Sequence, residues 1–512
     1  MNRLSVDYPH MLSRFFHSID RFFWLLLLPG IVLANVYFDY LLLLPLTLIA
    51  GIAFFYFRKP LFCRWSKLMT RAGGFIDRHS LVTIVVVLMM IQAALQLYFG
   101  YEMVITPSSD RKIIFNQASE IALTGNWHTN PKYTFYFLRY PNNQMLLLLE
   151  AGYFTFLKAI GIENFLYGNM VFNLFAIDLA ILLGTILVYR KYGKKMAVLF
   201  QVLAFLFVPF YTYIPFVYSD TLVLPMITGI LLCYELLEEN WKKQTSIQCL
   251  LLLLIGLLTW AGYEIKPTVA IISFACFLHM IIAKQLIKGL VYSLIILLTF
   301  VICSLSCHKA VLQLNVVDQS DYNRENFPYT HWVMMGLKGL GIYTLEDRQY
   351  TSSFETKAEK EKANIGLIKT RLREYGIPGL ILHQYMKGVT TWHSGRYDME
   401  FYLTKNPLKE SWMQEIFYPK GRFYPIYSIY CTIYHIFILS MLTLSIQRGY
   451  KNKELDSAVM WKLSLFGLYL FLSIWETRPR YVMQFTPLML LIAIDMLDKL
   501  WNKRESCYHQ SE

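Results

Sequence analysis

Blocks of apolar side chains recur from residue 22 to residue 497, and they constrain this chain more than anything else in it. Each is close to the ~20 residues that a helix needs to cross a bilayer. Hydrocarbon offers no water to satisfy a backbone N–H or C=O, so such blocks must be helical. Of the 512 residues, 56% are hydrophobic and 16% charged, against the ~25% charge of soluble globular domains. The expected fold is therefore all-α, a polytopic helical membrane protein. The formal charge of +13 reads as a bias of Lys and Arg toward cytoplasmic loops and as affinity for anionic headgroups, with no nucleic-acid partner. No cysteine lies between residues 100 and 143 or between 309 and 420, so the outward loops have no disulfide framework. Cys303, Cys307 and His308 have ligand-like spacing but are too few to close a zinc site. No cleavable signal peptide is visible: the first apolar block follows Arg3, Arg14 and Arg21 and has no small-residue cleavage site.

Charge between the blocks sets the expected topology. Residues 22–38 and 40–57 read as a helical hairpin. Arg58, Lys59, Arg64, Lys67, Arg71 and Arg78 against Asp77 then mark a cytoplasmic segment. The block at 81–99 runs outward, so the loop 100–143 faces away from the cytoplasm. Block 144–160, which holds Glu150, is expected to lie along or dip into the outer leaflet. Were it to cross, Arg190, Lys191, Lys194 and Lys195 would lie outside, against the charge rule. About twelve crossings result, or thirteen if that block crosses, with both termini cytoplasmic in a plasma membrane. The chain divides into 1–79 (hairpin and basic loop), 80–307 (membrane module with the first outer loop), 308–421 (a large outer loop) and 422–512 (last helices and tail). Within the large loop, 355–375 reads as a solvated helix, and the apolar stretch after Pro378 as lying on the membrane surface.

Four polar sites converge on the outer face. They are Asp110 with Arg111 and Lys112; Tyr218-Ser219-Asp220; Glu264 and Lys266 before Pro267; and Glu476 to Tyr481, with Arg478 and Arg480. Acids beside fixed cations at membrane depth suit the handling of a lipid-linked phosphate while a hydroxyl is deprotonated: the cations stabilise charge on the leaving phosphate, and the acid takes the proton. The plain alternative is that loop ends are polar anyway. Asp178, inside an apparent crossing, is either a relay group or a packed, hydrogen-bonded acid. His331 and His393 have no ligand spacing and read as surface or acceptor-groove residues. Trp392, Tyr397 and Trp412 are candidates to stack against a sugar ring.

Taken in order, these features resemble the GT-C membrane glycosyltransferases, in the branch related to protein O-mannosyltransferases and lipid A aminoarabinose transferases (glycosyltransferase family 39-like). The resemblance runs from about Leu81 to Leu497. It rests on Asp110 in the first outer loop, Tyr140-Pro141-Asn142-Asn143 leading an apolar stretch, Asp220 in SDTLVLP, Lys266 at a helix end, the large late loop, and Arg480-Tyr481 before the last helix. It implies outer-face juxtamembrane helices, and transfer of a sugar from a polyprenyl-phosphate-linked donor to a glycan, lipid or protein acceptor, with inversion at the anomeric carbon. Asp110 would be the base and Asp220 a second catalytic acid, the two being candidate ligands of a divalent metal ion. Lys266, Arg478 and Arg480 would hold the donor phosphate. Tyr140, Asn142, Glu264, Trp392, His393 and Tyr397 are candidate acceptor or sugar contacts. Two features depart from the family: the block after Asn142-Asn143 lacks the paired prolines of that motif, and the hairpin at 22–57 lies outside the match. A ligase or polymerase of lipid-diphosphate-linked glycans, working through cations of the late loop, is the second reading. A transporter or flippase, which often shows inverted repeats, is the third.

Overall fold

In the computed structural model, residues 73–508 are described, apart from 243–244, 284 and 453–454, together with Ser18. The expected hairpin at 22–57 lies outside them. The described residues form helices joined by loops and turns, with no strand and one isolated antiparallel bridge, Ile105 to Pro407. The helices used below are α1 (Leu81–Glu102), α2 (Asp110–Thr124), α3 (Pro131–Arg139), α4 (Asn142–Ala159), α5 (Phe165–Tyr192), α6 (Lys194–Leu206), α7 (Ser219–Glu239), α8 (Thr245–Ile265) and α9 (Pro267–Ala283). There follow α10 (Leu286–Leu314), α11 (Thr330–Gly336), α12 (Leu345–Ser352), α13 (Lys357–Trp392), α14 (Met399–Leu403), α15 (Tyr424–Asn452), α16 (Ser457–Ile474) and α17 (Pro479–Asn502).

Among the described residues, eight helices are long and apolar enough to cross a membrane: α1, α5, α7, α8, α10, α15, α16 and α17. Helix α9 is a shorter apolar helix, and α6, with 13 residues, is shorter still. The protein is thus an all-α polytopic membrane protein. Association of such helices depends on close packing more than on the hydrophobic effect, and α8 meets α10 at Gly256. A Cβ there would lie 2.6 Å from Thr299 Cβ and 2.9 Å from the Ile296 carbonyl.

Two ends of the bundle are distinguished by what they carry. At one, Lys191 pairs with Glu235 at 2.7 Å, Tyr192 donates to Asp495 at 2.7 Å, and Lys499 pairs with Asp495 at 3.0 Å. Lys195 pairs with Asp77 at 3.2 Å, and Lys194 Nζ donates to the His79 carbonyl at 2.5 Å. This basic end therefore holds both the start of α1 and the finish of α5. One helix leaves that end and the other returns to it, so the chain between them stays at the opposite, loop end. Helix α4 accordingly does not cross, as the charge of 190–195 predicts. It packs on α2 instead, with Arg111 and Glu150 paired at 2.7 Å.

The late loop folds back onto the first one at the loop end. Thr106 N–H donates to the Asn406 carbonyl at 2.9 Å and Leu408 N–H to the Val104 carbonyl at 3.1 Å, flanking the bridge. Arg139 and Glu325 pair at 2.6 Å. The solvated helix expected at 355–375 is the first half of α13, started by a capping box between Thr356 and Glu359. Gly376, at φ 56°, breaks the helix just before Pro378. The second half then exposes Ile377, Ile381, Leu382 and Met386, the apolar face expected of a surface-lying stretch. Asp178 is packed and hydrogen-bonded, accepting from Gln92 at 3.2 Å and Gln96 at 3.1 Å.

Candidate active site

Asp110 is the first residue of α2, reached through Ser109 at φ 53° and ψ −134°. A side chain rarely adopts that conformation, and local strain of this kind persists where the surroundings over-determine it. The next residue, Arg111, turns inward to Glu150, which is fully buried. Successive residues of a helix point about 100° apart, so burying Arg111 leaves Asp110 facing outward, and it is exposed. Protein atoms nevertheless crowd the carboxylate, as at the floor of an open recess. That desolvation raises its affinity for a proton, against the opposing pull of Arg480, Arg348, a Tyr136 hydrogen bond and Arg111.

Asp220 is arranged differently. A hydrogen bond from Thr221 to Asn173 at 2.5 Å ties its turn to α5, and the carboxylate is 0% exposed. Lys266 Nζ binds one oxygen and Arg480 Nη1 the other, the latter at 3.1 Å. Pro267 ends the helix beyond Lys266, which points the ammonium into the site; burial lowers its proton affinity while Asp220 raises it. The Arg480 guanidinium lies 5.1 Å from the centroid of Tyr218, 5.5 Å from Tyr402 and 5.1 Å from Tyr481. Such contacts with aromatic faces hold the cation without cancelling its charge.

Two further acids complete the recess. Glu476 accepts from the Tyr481 hydroxyl at 3.2 Å. Burial raises its proton affinity and nearby Asp110 adds to that, while Arg480 and Arg478 oppose it. Asp398 lies at φ 64°, directly after Tyr397 at φ 54°, and accepts a backbone hydrogen bond from Arg480. Burial, with Glu400 acting the same way, pushes its carboxyl up to about 6. Arg348, on α12, acts electrostatically on Asp110 and on Tyr140.

The fold therefore brings together Asp110, Asp220, Lys266 and Arg480, with Arg478 and Tyr140 at the margin. Asn142 is exposed at the start of α4, where it donates to Asn143 at 3.3 Å. Glu264 is turned away, accepting from Ser304 of α10 at 3.0 Å. Lys266 lies just past the end of α8 with an extended backbone (φ −153°, ψ 107°), so it leaves the chain in a direction that Glu264, still within the helix, does not share. Trp392 and Tyr397 require correction as sugar-stacking platforms. They are 1% and 2% exposed, so their ring faces are covered by protein; Tyr397 packs 5.7 Å from the His435 ring. His393 Nδ1 lies 2.8 Å from the Thr390 carbonyl, within its own helix end. His331 is buried against Thr351 at 2.8 Å and is not a surface residue. Trp412 is exposed and donates to Tyr98 at 3.3 Å.

The pair Asp110 and Asp220 does not fit a divalent ion, because both Asp220 oxygens already face cations that would repel one. Among the described residues, no group of three or more His, Cys, Asp or Glu is placed to hold a metal. Asp398 and Arg348 are neighbours that sequence reasoning did not single out, and Glu476 and Tyr218 ones that it placed in the outer-face clusters without a role. Glu476 and Tyr218 stand beside residues it did assign, whereas nothing local marks Asp398 or Arg348.

A family model described as "Conserved hypothetical integral membrane protein" matches residues 40–500. No curated protein matches the chain, and no solved structure does.

Proposed function

We propose that this chain, which belongs to the family of conserved hypothetical integral membrane proteins, transfers a sugar from a polyprenyl-phosphate-linked donor to an acceptor hydroxyl. The observation that carries this reading is Asp110 itself, an exposed carboxylate of raised proton affinity facing fixed cations at the end of a membrane bundle. The acceptor hydroxyl attacks the anomeric carbon as its proton passes to Asp110. The bond from that carbon to the phosphate oxygen breaks, and its electron pair leaves with the phosphate. Attack opposite the leaving group inverts the anomeric centre. Lys266 and Arg480 stabilise the charge that develops on the phosphate.

Asp220, fully engaged with both cations, is better suited to holding them in register than to acting as a second acid or a metal ligand. The basic end, with Lys191, Lys195 and Lys499, is read as cytoplasmic, which puts the loop end on the extracytoplasmic face of the plasma membrane and both termini inside.

The test is transfer in vitro with purified protein and a panel of polyprenyl-phosphate sugars, comparing Asp110→Asn with the parent. Loss of a general base lowers kcat by about 100- to 10,000-fold. Parental activity in Asp110→Asn refutes the reading.

A further inference from the structure

Two pairs of cations meet around Tyr402 at the loop end, and one of them has no salt-bridge partner among the described residues. Lys266 and Arg480 share Asp220. Arg478 and Lys405 form no salt bridge among the described residues. They are instead gathered on one ring: Lys405 Nζ lies 3.8 Å from the Phe401 centroid and the Arg478 guanidinium 5.9 Å. Neither is fully buried. Asp398 and Glu476 act on Arg478 without contacting it.

Lys405 is not on a slack loop. Its N–H donates to the Tyr402 carbonyl at 3.1 Å, and the next residue, Asn406, at φ 51°, accepts from Thr106. The segment is thus zipped to the one that leads into Asp110. Two like charges on one aromatic ring, with no carboxylate in direct contact with either, repel each other until an anion joins them. An oxyanion gains charge-assisted hydrogen bonds from both at once. The two groups of cations also adjoin, since Lys405 and Arg480 lie 5.9 Å and 5.5 Å from the centroid of the same ring, Tyr402.

We propose that Arg478 and Lys405, gathered on Phe401, form a second phosphate site beside that of Lys266 and Arg480. The site rests on the transfer reading above and deepens it: the reacting pair brings two phosphates. The second is either the outer phosphate of a diphosphate-linked donor or a phosphate carried by the acceptor.

Calorimetric titration of the full chain in neutral-lipid nanodiscs, at constant ionic strength, separates these cases with orthophosphate and pyrophosphate as probes. Two orthophosphate sites are expected in the parent. Lys405→Gln and Arg478→Gln each weaken one of them about tenfold, Arg478→Lys largely restores it, and Arg480→Gln weakens the other. Pyrophosphate binding about tenfold tighter than orthophosphate assigns the site to a diphosphate donor; equal affinity assigns it to the acceptor. Parental binding in both Lys405→Gln and Arg478→Gln overturns the inference, and leaves the transfer reading intact if Arg480→Gln still loses a site. Parental binding in Arg480→Gln as well overturns the donor-phosphate assignment with it.

Discussion

At the scale of single residues, Asp110, Asp398 and Glu476 are held where ionisation costs stability, and that cost has a sign. The folded protein raises the proton affinity of Asp110. Its contribution to stability is therefore complete below the ordinary carboxylate pKa and lost as pH rises through the higher folded value. Asp110→Asn removes that loss, so the variant is expected to melt at a higher temperature than the parent at neutral pH, and by a smaller margin in acid. The same shift moves the acid limb of kcat/KM above the pH at which an ordinary aspartate titrates; a limb centred near pH 4 contradicts it. The pair behind Asp110 gives a different expectation. Arg111 and Glu150 are both buried, and removing one leaves the other uncompensated. Glu150→Gln is expected to cost about 3–5 kcal/mol, and replacing both by apolar residues of similar volume to recover most of it. Chemical denaturation of the three variants checks this.

Elements explain why some of the site was legible in sequence and some was not. Asp110, Lys266 and Arg480 stand where apolar blocks meet polar turns, and a helix end fixes roughly where such a residue points. Glu264 shows how far that goes: it was grouped with Lys266 by proximity, yet it is still helical and turned to Ser304, whereas Lys266 has left the helix with an extended backbone. Trp392 looked like a loop aromatic but closes the last turn of α13 and packs inward. Asp398 owes its place to two successive left-handed residues, and Lys405 to the Ile105–Pro407 bridge, neither of which leaves a periodic signal. Helix contacts yield a prediction of their own. Gly256→Leu drives a side chain into Thr299 and the Ile296 carbonyl, and overpacking of this kind costs about 1–3 kcal/mol. A loss of thermal stability is expected, while Gly366→Leu, with open space around its Cβ position, stays close to the parent.

For the whole molecule, the contacts of Lys194 and Lys195 with residues 77–79 place the start of α1 and the end of α5 together, in agreement with the like charge of those two segments. Impermeant thiol reagents are expected to label a cysteine at Glu163 from the outside of intact cells and one at Lys195 only after lysis. Outside labelling at Lys195 overturns both the path and the sidedness. The fold class and this path were readable because bilayer thickness and loop charge act on every segment alike. The assembly of the recess was not, because it joins residues hundreds of positions apart.

That separation has a consequence for biosynthesis. Asp220 and Lys266 leave the ribosome long before Arg480, which belongs to the last helix. Their ion pair needs nothing that is made after Lys266, so the first helices need not hold a bare charge at membrane depth. Arg480 then arrives as the final component and turns a neutral pair into a cationic cradle. On the transfer reading, a chain interrupted before α17 would carry that neutral pair without the second cation that the leaving phosphate needs.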